Sequence, residues 1–162
     1  MASSNATLRA VIKATVDDFL QSYEDARATG DTKQISRTLT PDCMRHLVPD
    51  SLERVIGLPA QILRGQNVED YEKRIGPELE VQDQPARVET SNLCIDVDLK
   101  GVAFRAVHHT SLRGNGPFSI EICWFLDFND DGSKVTGITQ FVDSAESARC
   151  LELMKGIIEE EN

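Results

Sequence analysis

The chain has 162 residues, with 17 Lys plus Arg against 27 Asp plus Glu, for a formal charge of -10. That length makes a single domain, residues 1–162, with one sizeable core. So acidic a chain lacks the basic footprint that holds nucleic acid or an anionic membrane surface, and no apolar run approaches the roughly 18 residues of a membrane span.

Met1–Asn5 carries no basic, apolar leader, and the four cysteines, Cys43, Cys94, Cys123 and Cys150, are widely spaced with no CxxC pair. Reduced thiols and a cytoplasmic location are the expectation. No ligand spacing such as HExxH, no glycine-rich strand–helix loop and no Gly-x-Ser-x-Gly elbow is present, so no metal, nucleotide or serine nucleophile is expected.

Leu8, Val11, Ile12, Val16, Phe19, Leu20 and Tyr23 recur at helical spacing and predict a long amphipathic helix from Thr7 to Thr29, stopped by Gly30-Asp31. A short second helix is expected over Thr32–Leu39. From Cys43 to Gln66 the pattern is irregular, with room for a short helix at Ser51–Ile56. Asn67 is a suitable N-cap for a helix to Leu79, with Glu69 and Asp70 in its first turn.

After Gln82 the pattern changes to the two-residue period of strands. Strands are predicted over Ala86–Val97, Val102–Leu112, Pro117–Phe128 and Lys134–Asp143, punctuated by glycine- and asparagine-rich turns, hence an antiparallel sheet. Ser144 opens a last helix, with an acidic tail Glu159–Glu161 that should fray. Helices followed by hairpins make the fold class α+β.

Pairing Phe128 with Lys134 across a loop Asn129–Ser133 sorts the last hairpin into two faces. One carries Ser119, Glu121, Cys123, Phe125, Thr139, Phe141 and Asp143; the other carries Phe118, Ile120, Ile122, Trp124, Ile138, Gln140 and Val142. The first mixes aromatics with carboxylates, as a ligand pocket does. The second is an apolar band that calls for a cover, either helices or, preferably, the second subunit of a homodimer.

The preceding hairpin adds Arg105 and His109 to the first face, and a one-residue slip would present His108 instead. Glu121 and Asp143 form the candidate carboxylate pair with His109 as proton partner, and burial should raise the Glu121 pKa. Asp143 also reads as a helix cap, through Asp143-Ser144-Ala145-Glu146. Substrate contacts are expected from His108, Arg105, His46, Ser119, Phe125 and Phe141, with Arg37 or Arg45 anchoring an anionic or enolate oxygen.

Three stretches carry a family resemblance: Leu39-Thr40-Pro41-Asp42-Cys43 with Pro49-Asp50-Ser51-Leu52; Gly116-Pro117-Phe118-Ser119-Ile120-Glu121 leading to Trp124-Phe125-Leu126-Asp127-Phe128; and Asp131-Gly132-Ser133-Lys134-Val135-Thr136 with Gln140-Phe141-Val142-Asp143-Ser144. Their order and spacing resemble the fungal SnoaL-like proteins of the NTF2-like superfamily. Within it they are similar to the isomerases of terretonin- and austinol-type meroterpenoid pathways and the tetrahydroxanthone isomerases.

The resemblance implies a cone-shaped α+β barrel, a curved antiparallel sheet wrapped by N-terminal helices, as a homodimer with an open pocket and no cofactor. It implies an acidic residue at the Asp143 position in the chemistry. The implied activity is cofactor-independent isomerisation or cyclisation of a polyketide- or meroterpenoid-derived intermediate by enolisation. The alternatives are a dehydratase on the same fold and a non-catalytic dimer that binds a ligand or partner.

Overall fold

The computed structural model describes residues 2–57, 59–83 and 87–160. Ala86, the expected start of the first hairpin strand, and Glu161 lie outside them. The elements in chain order are α1 (Ala2–Thr29), a 3-10 turn (Thr32–Ser36), β1 (Leu39–Val48), α2 (Leu52–Ile56), α3 (Ala60–Arg64), α4 (Val68–Glu80), β2 (Arg87–Asp96), β3 (Gly101–Leu112), β4 (Asn115–Phe128), β5 (Val135–Val142) and α5 (Ser144–Glu160). Among the described residues no helix is long and apolar enough to cross a membrane.

The strands form one sheet in the order β1-β5-β4-β3-β2. β2 to β5 pair antiparallel as expected, but β1 pairs parallel with β5, from Leu39 opposite Val135 to Val48 opposite Phe141. β1 replaces the expected end of the second helix and the irregular stretch after it. Proline is tolerated in an edge strand, where Pro41 sits, and the polar run Asp42-Cys43-Met44-Arg45-His46 hides the alternation. The Asn67 cap is as expected, its Oδ1 accepting from Asp70 N at 2.8 Å.

The hairpin pairings differ by two residues from the expected ones, in which Cys123 would face Thr139 in the last hairpin and, with Leu112 opposite Phe118, His109 would face Glu121 and Arg105 would face Phe125 in the one before it. Cys123 faces Phe141 and Phe125 faces Thr139 in β4–β5, and His109 faces Ser119 and Arg105 faces Cys123 in β3–β4. In β4–β5 one residue of the displacement is already present at Phe128, which faces Val135 instead of Lys134, and the irregularity at Asp127/Phe128 adds the other. A two-residue shift keeps every side chain on its face, so the two expected face sets survive intact.

Their roles are exchanged. The apolar band is covered by this chain's own helices rather than by a second subunit. Ile12, Val16 and Phe19 of α1 join Trp124, Leu126, Phe104 and Ile138 in the largest core cluster. Phe19 meets Trp124 edge-on at a centroid distance of 5.2 Å. Cys150 and Met154 of α5 pack with Leu112 and Phe118 at one end of the sheet, and Leu52, Ile56 and Leu63 pack with Val142 at another.

The β4–β5 turn lets α1 lie this close. Gly132 has φ +74, and a Cβ there would stand 2.7 Å from Ile12 Cγ1, so only glycine gives both the left-handed turn and the contact. The opposite face is left open. Phe125 and Phe141 are 49% and 50% exposed in its middle.

Candidate active site

Between the inner face of the sheet and helices α1, α4 and α5 lies a largely apolar cavity of about 180 Å³. Helical spacing aims its polar wall. Tyr71, Arg74 and Glu78 share one face of α4, and Tyr23 and Arg27 share one face of α1. From the sheet come His108, Thr110, Trp124 and Gln140, because alternate residues of a strand point to one side.

At one end the two tyrosine hydroxyls stand 3.3 Å apart. Behind them Arg45 is only 2% exposed, and it enters from β1 because the residues of that strand alternate between the faces. Its guanidinium carbon lies 3.7 Å from the centre of the Tyr71 ring and 5.8 Å from that of Trp124. Its Nη1 donates to Gln140 Oε1 at 2.8 Å. Burial raises the Tyr23 pKa well above its ordinary value, against the opposing pull of Arg45, so the phenol stays protonated.

Elsewhere in the wall Arg74 Nη1 donates to Glu78 Oε1 at 2.5 Å, with both side chains 20% exposed. Burial still raises the Glu78 carboxyl, outweighing Arg74. Arg27 pairs with Glu24 and donates from Nε to Gln82 Oε1 at 3.0 Å. The His108 ring leans on Trp124 at a centroid distance of 6.2 Å, and its Nε2 is closed to solvent without a hydrogen-bond partner. Burial first, then Arg27 and His109, push its pKa down to about 4, so it is neutral at pH 7.

The residues expected to form the site lie for the most part elsewhere. Glu121 is on the outer face, held bidentately by Arg105 at 2.5 and 2.8 Å. The hydrogen bond from Arg105 lowers its pKa, where an apolar cavity would have raised it. Asp143 is exposed and caps α5, its Oδ1 accepting from Ala145 N at 3.0 Å and Glu146 N at 3.2 Å. Its backbone N–H donates to Glu121 O at 2.8 Å, so the two carboxylate residues are neighbours, but outside the cavity.

Ser119, Phe125 and Phe141 share that outer face and are exposed. His46 pairs with outward-facing Thr139. His109 borders the cavity from the outer side, with Nδ1 3.0 Å from Ser119 Oγ, so of the two histidines His108 is the one pointing inward. Arg37 is drawn to α1, bonded to Asp18 at 2.6 Å and Asp25 at 2.5 Å.

Tyr23 stands in the predicted apolar stripe of α1, and Arg27, Tyr71, Arg74 and Glu78 carry a related sequence signal. They continue the phase of the apolar stripes of α1 and α4, where a polar residue is out of place unless it faces a cavity. Of the two arginines expected to anchor an anionic oxygen, Arg45 is the one buried behind the cavity wall, and its burial carried no sequence signal because β1 was not legible as a strand.

No family model matches the chain, and no curated protein matches it by sequence. Solved structures do. BvnE pinacolase from Penicillium brevicompactum superposes with a TM-score of 0.75 at 15% identity, over 94% of this chain and 99% of that one. AusH from Aspergillus nidulans gives 0.65 at 22% identity, over 85% and 86%. An NTF2-like protein from Burkholderia pseudomallei gives 0.62 at 14% identity, over 87% and 97%. The chain has the NTF2-like, cone-shaped α+β fold that these proteins share.

Proposed function

We propose that the protein is a cofactor-independent isomerase or cyclase that enolises a ring ketone of a polyketide- or meroterpenoid-derived intermediate. The observation that carries this reading is the cavity itself: a carboxyl that burial raises, Glu78, held by Arg74 in a largely apolar chamber whose wall also carries the Tyr23 and Tyr71 hydroxyls, Arg27, Gln140 and a neutral His108. A pinacolase among proteins of the same fold is consistent with rearrangement chemistry. A chamber of about 180 Å³ suits the reacting ring.

Glu78 takes a proton from the carbon next to the ring carbonyl. The C–H electron pair becomes the enolate C=C bond, and the carbonyl π pair moves onto oxygen, where the Tyr23 and Tyr71 hydroxyls donate. Protonated Glu78 then returns the proton to another carbon, with neutral His108 as a hydrogen-bond partner. Raising the carboxyl pKa by burial strengthens it as a base and keeps it a usable acid.

The test is α-proton exchange in D₂O, followed by NMR on bicyclic ring ketones including 2-tetralone. Exchange that is enhanced by the protein and abolished in Glu78→Gln supports the reading. No enhancement, or a pathway intermediate that loses one water in mass, points to a ligand-binding protein or a dehydratase respectively.

The homodimer belongs to the same proposal, through the open outer face. Phe125 and Phe141 form the apolar centre, and the Arg105–Glu121 pair beside them offers both charge signs to a two-fold partner. Sedimentation at micromolar concentration should give a dimer, and Phe125→Glu a monomer. A monomeric wild type overturns this part.

A further inference from the structure

Three arginines surround or back the cavity, and two of them have carboxylate partners: Arg27 with Glu24 and Arg74 with Glu78. Arg45 has none among the described residues. It is 2% exposed, its Nη1 spends a proton on the neutral Gln140, and its Nη2 has no hydrogen-bond partner. The groups packed around it are Tyr23 from α1, Tyr71 from α4, Trp124 from β4, Gln140 from β5 and Cys43 from its own strand. None is a carboxylate.

An arginine cannot escape by losing its proton, and a buried charge is costly unless it is paired. The faces of Tyr71 and Trp124 return part of that cost as cation–π attraction, but they leave the net charge in place. Tyrosine ionisation is the internal way to balance it, and burial opposes that at Tyr23. The resting site is therefore one negative charge short.

We propose that the cavity holds its ligand's oxygen as an anion, the enolate that Glu78 generates from a ring ketone or the phenolate of a phenol, against the Tyr23 and Tyr71 hydroxyls, where it supplies the counter-charge that Arg45 lacks. This deepens the enolisation reading and rests on it for the identity of the substrate. Arg45 acts through the tyrosines and is a positioning residue. Substrates of this class are acidic ring enols, β-dicarbonyls and phenols. Neutral ethers and alcohols of the same shape are discriminated against.

The experiment uses the full chain with two single-ring probes, 4-nitrophenol and its neutral methyl ether 4-nitroanisole. The visible absorption of the phenolate reports the ionisation state of the bound probe. The phenolate should bind at least about tenfold more tightly than the phenol, which appears as a fall of about one unit in the apparent pKa of the probe. Arg45→Met should erase that fall and leave 4-nitroanisole affinity within about threefold. Arg45→Lys, which keeps the charge, should retain part of it and covers the case in which the methionine variant does not fold.

The inference is overturned if the wild type prefers the neutral phenol, if Arg45→Met keeps the shift, or if neither probe binds at millimolar concentration. It is also overturned if the free wild type shows a tyrosinate band at neutral pH that Arg45→Met removes, because the counter-charge would then be internal. Glu78→Gln separates the two readings. It stops proton exchange if the enolisation reading is right, and it leaves the phenolate preference in place if the charge argument is right, whichever way the exchange experiment falls.

Discussion

The two faces of β3, β4 and β5 carry similar chemical inventories, a histidine, aromatics and polar groups each, and differ in what covers them. On the outer face Glu121 and Arg105 satisfy each other within reach of water, and the pKa of Glu121 falls. On the inner face the helices exclude water, so His108 falls to about 4, and the carboxyl of Glu78, reaching in from α4, rises even with Arg74 beside it. Two carboxylates and a histidine on one strand face are therefore weak evidence of a catalytic pocket. Desolvation, more than the set of residue types, distinguishes the two sides.

The strongest way to break this contrast is to neutralise one carboxylate on each side. Glu78→Gln should reduce turnover of the true substrate by about 100- to 10,000-fold, as removal of a positioned acid or base does, while Glu121→Gln stays within a few-fold of wild type. Steady-state rates on a pathway intermediate check both. A reversed order would return the chemistry to the outer face.

Next in size are the aromatics one residue apart on β4. Trp124→Ala should cost about 3–5 kcal/mol, because that ring is packed by Phe19, Phe104 and Tyr23. Phe125→Ala, half exposed, should cost far less in thermal unfolding of the dissociated monomer. Equal losses would mean that the outer face is covered within the chain.

His108 gives the pH test. Its folded pKa of about 4 lies below its ordinary 6.5, so its contribution to stability is fully present above 6.5 and is lost as pH falls toward 4. The wild type should lose up to about 3 kcal/mol more than His108→Gln across that window. Denaturant titrations at stepped pH measure the difference, and parallel curves would mean that the ring is solvated. The smallest effect belongs to the cap. Asp143→Asn should leave both unfolding and turnover almost unchanged, since Asn caps about as well as Asp, and a collapse of turnover at constant melting temperature would restore Asp143 to the mechanism.

The helical period of α1 and α4, the Asn67 cap and the alternation of β2 to β5 were legible because each depends on neighbours within a few positions. The strand faces were legible for the same reason: an error of two residues in pairing cannot change which side a residue points to. β1 was not legible, because its pairing with β5 is long-range and parallel and its inward residue at position 45 is an arginine rather than an aliphatic. The site as a whole failed to appear because its polar residues come from α1, α4 and the sheet, far apart in the chain, and nothing local says that their faces meet around one cavity.

By itself, then, the sequence determined the α+β class, the elements after residue 67, and the division of the hairpins into an apolar and a mixed face, all consequences of local periodicity. Only the tertiary structure decided which face became the inside. That outcome depends on where α1 lands, and α1 lands on the apolar band because burying Phe19 and Ile12 against Trp124 and Leu126 removes the most hydrocarbon from water. Once that face was closed, Glu121 and Asp143 were left on the solvent side, and Glu78, His108 and Arg45 shared an interior that neither local pattern nor charge count had joined.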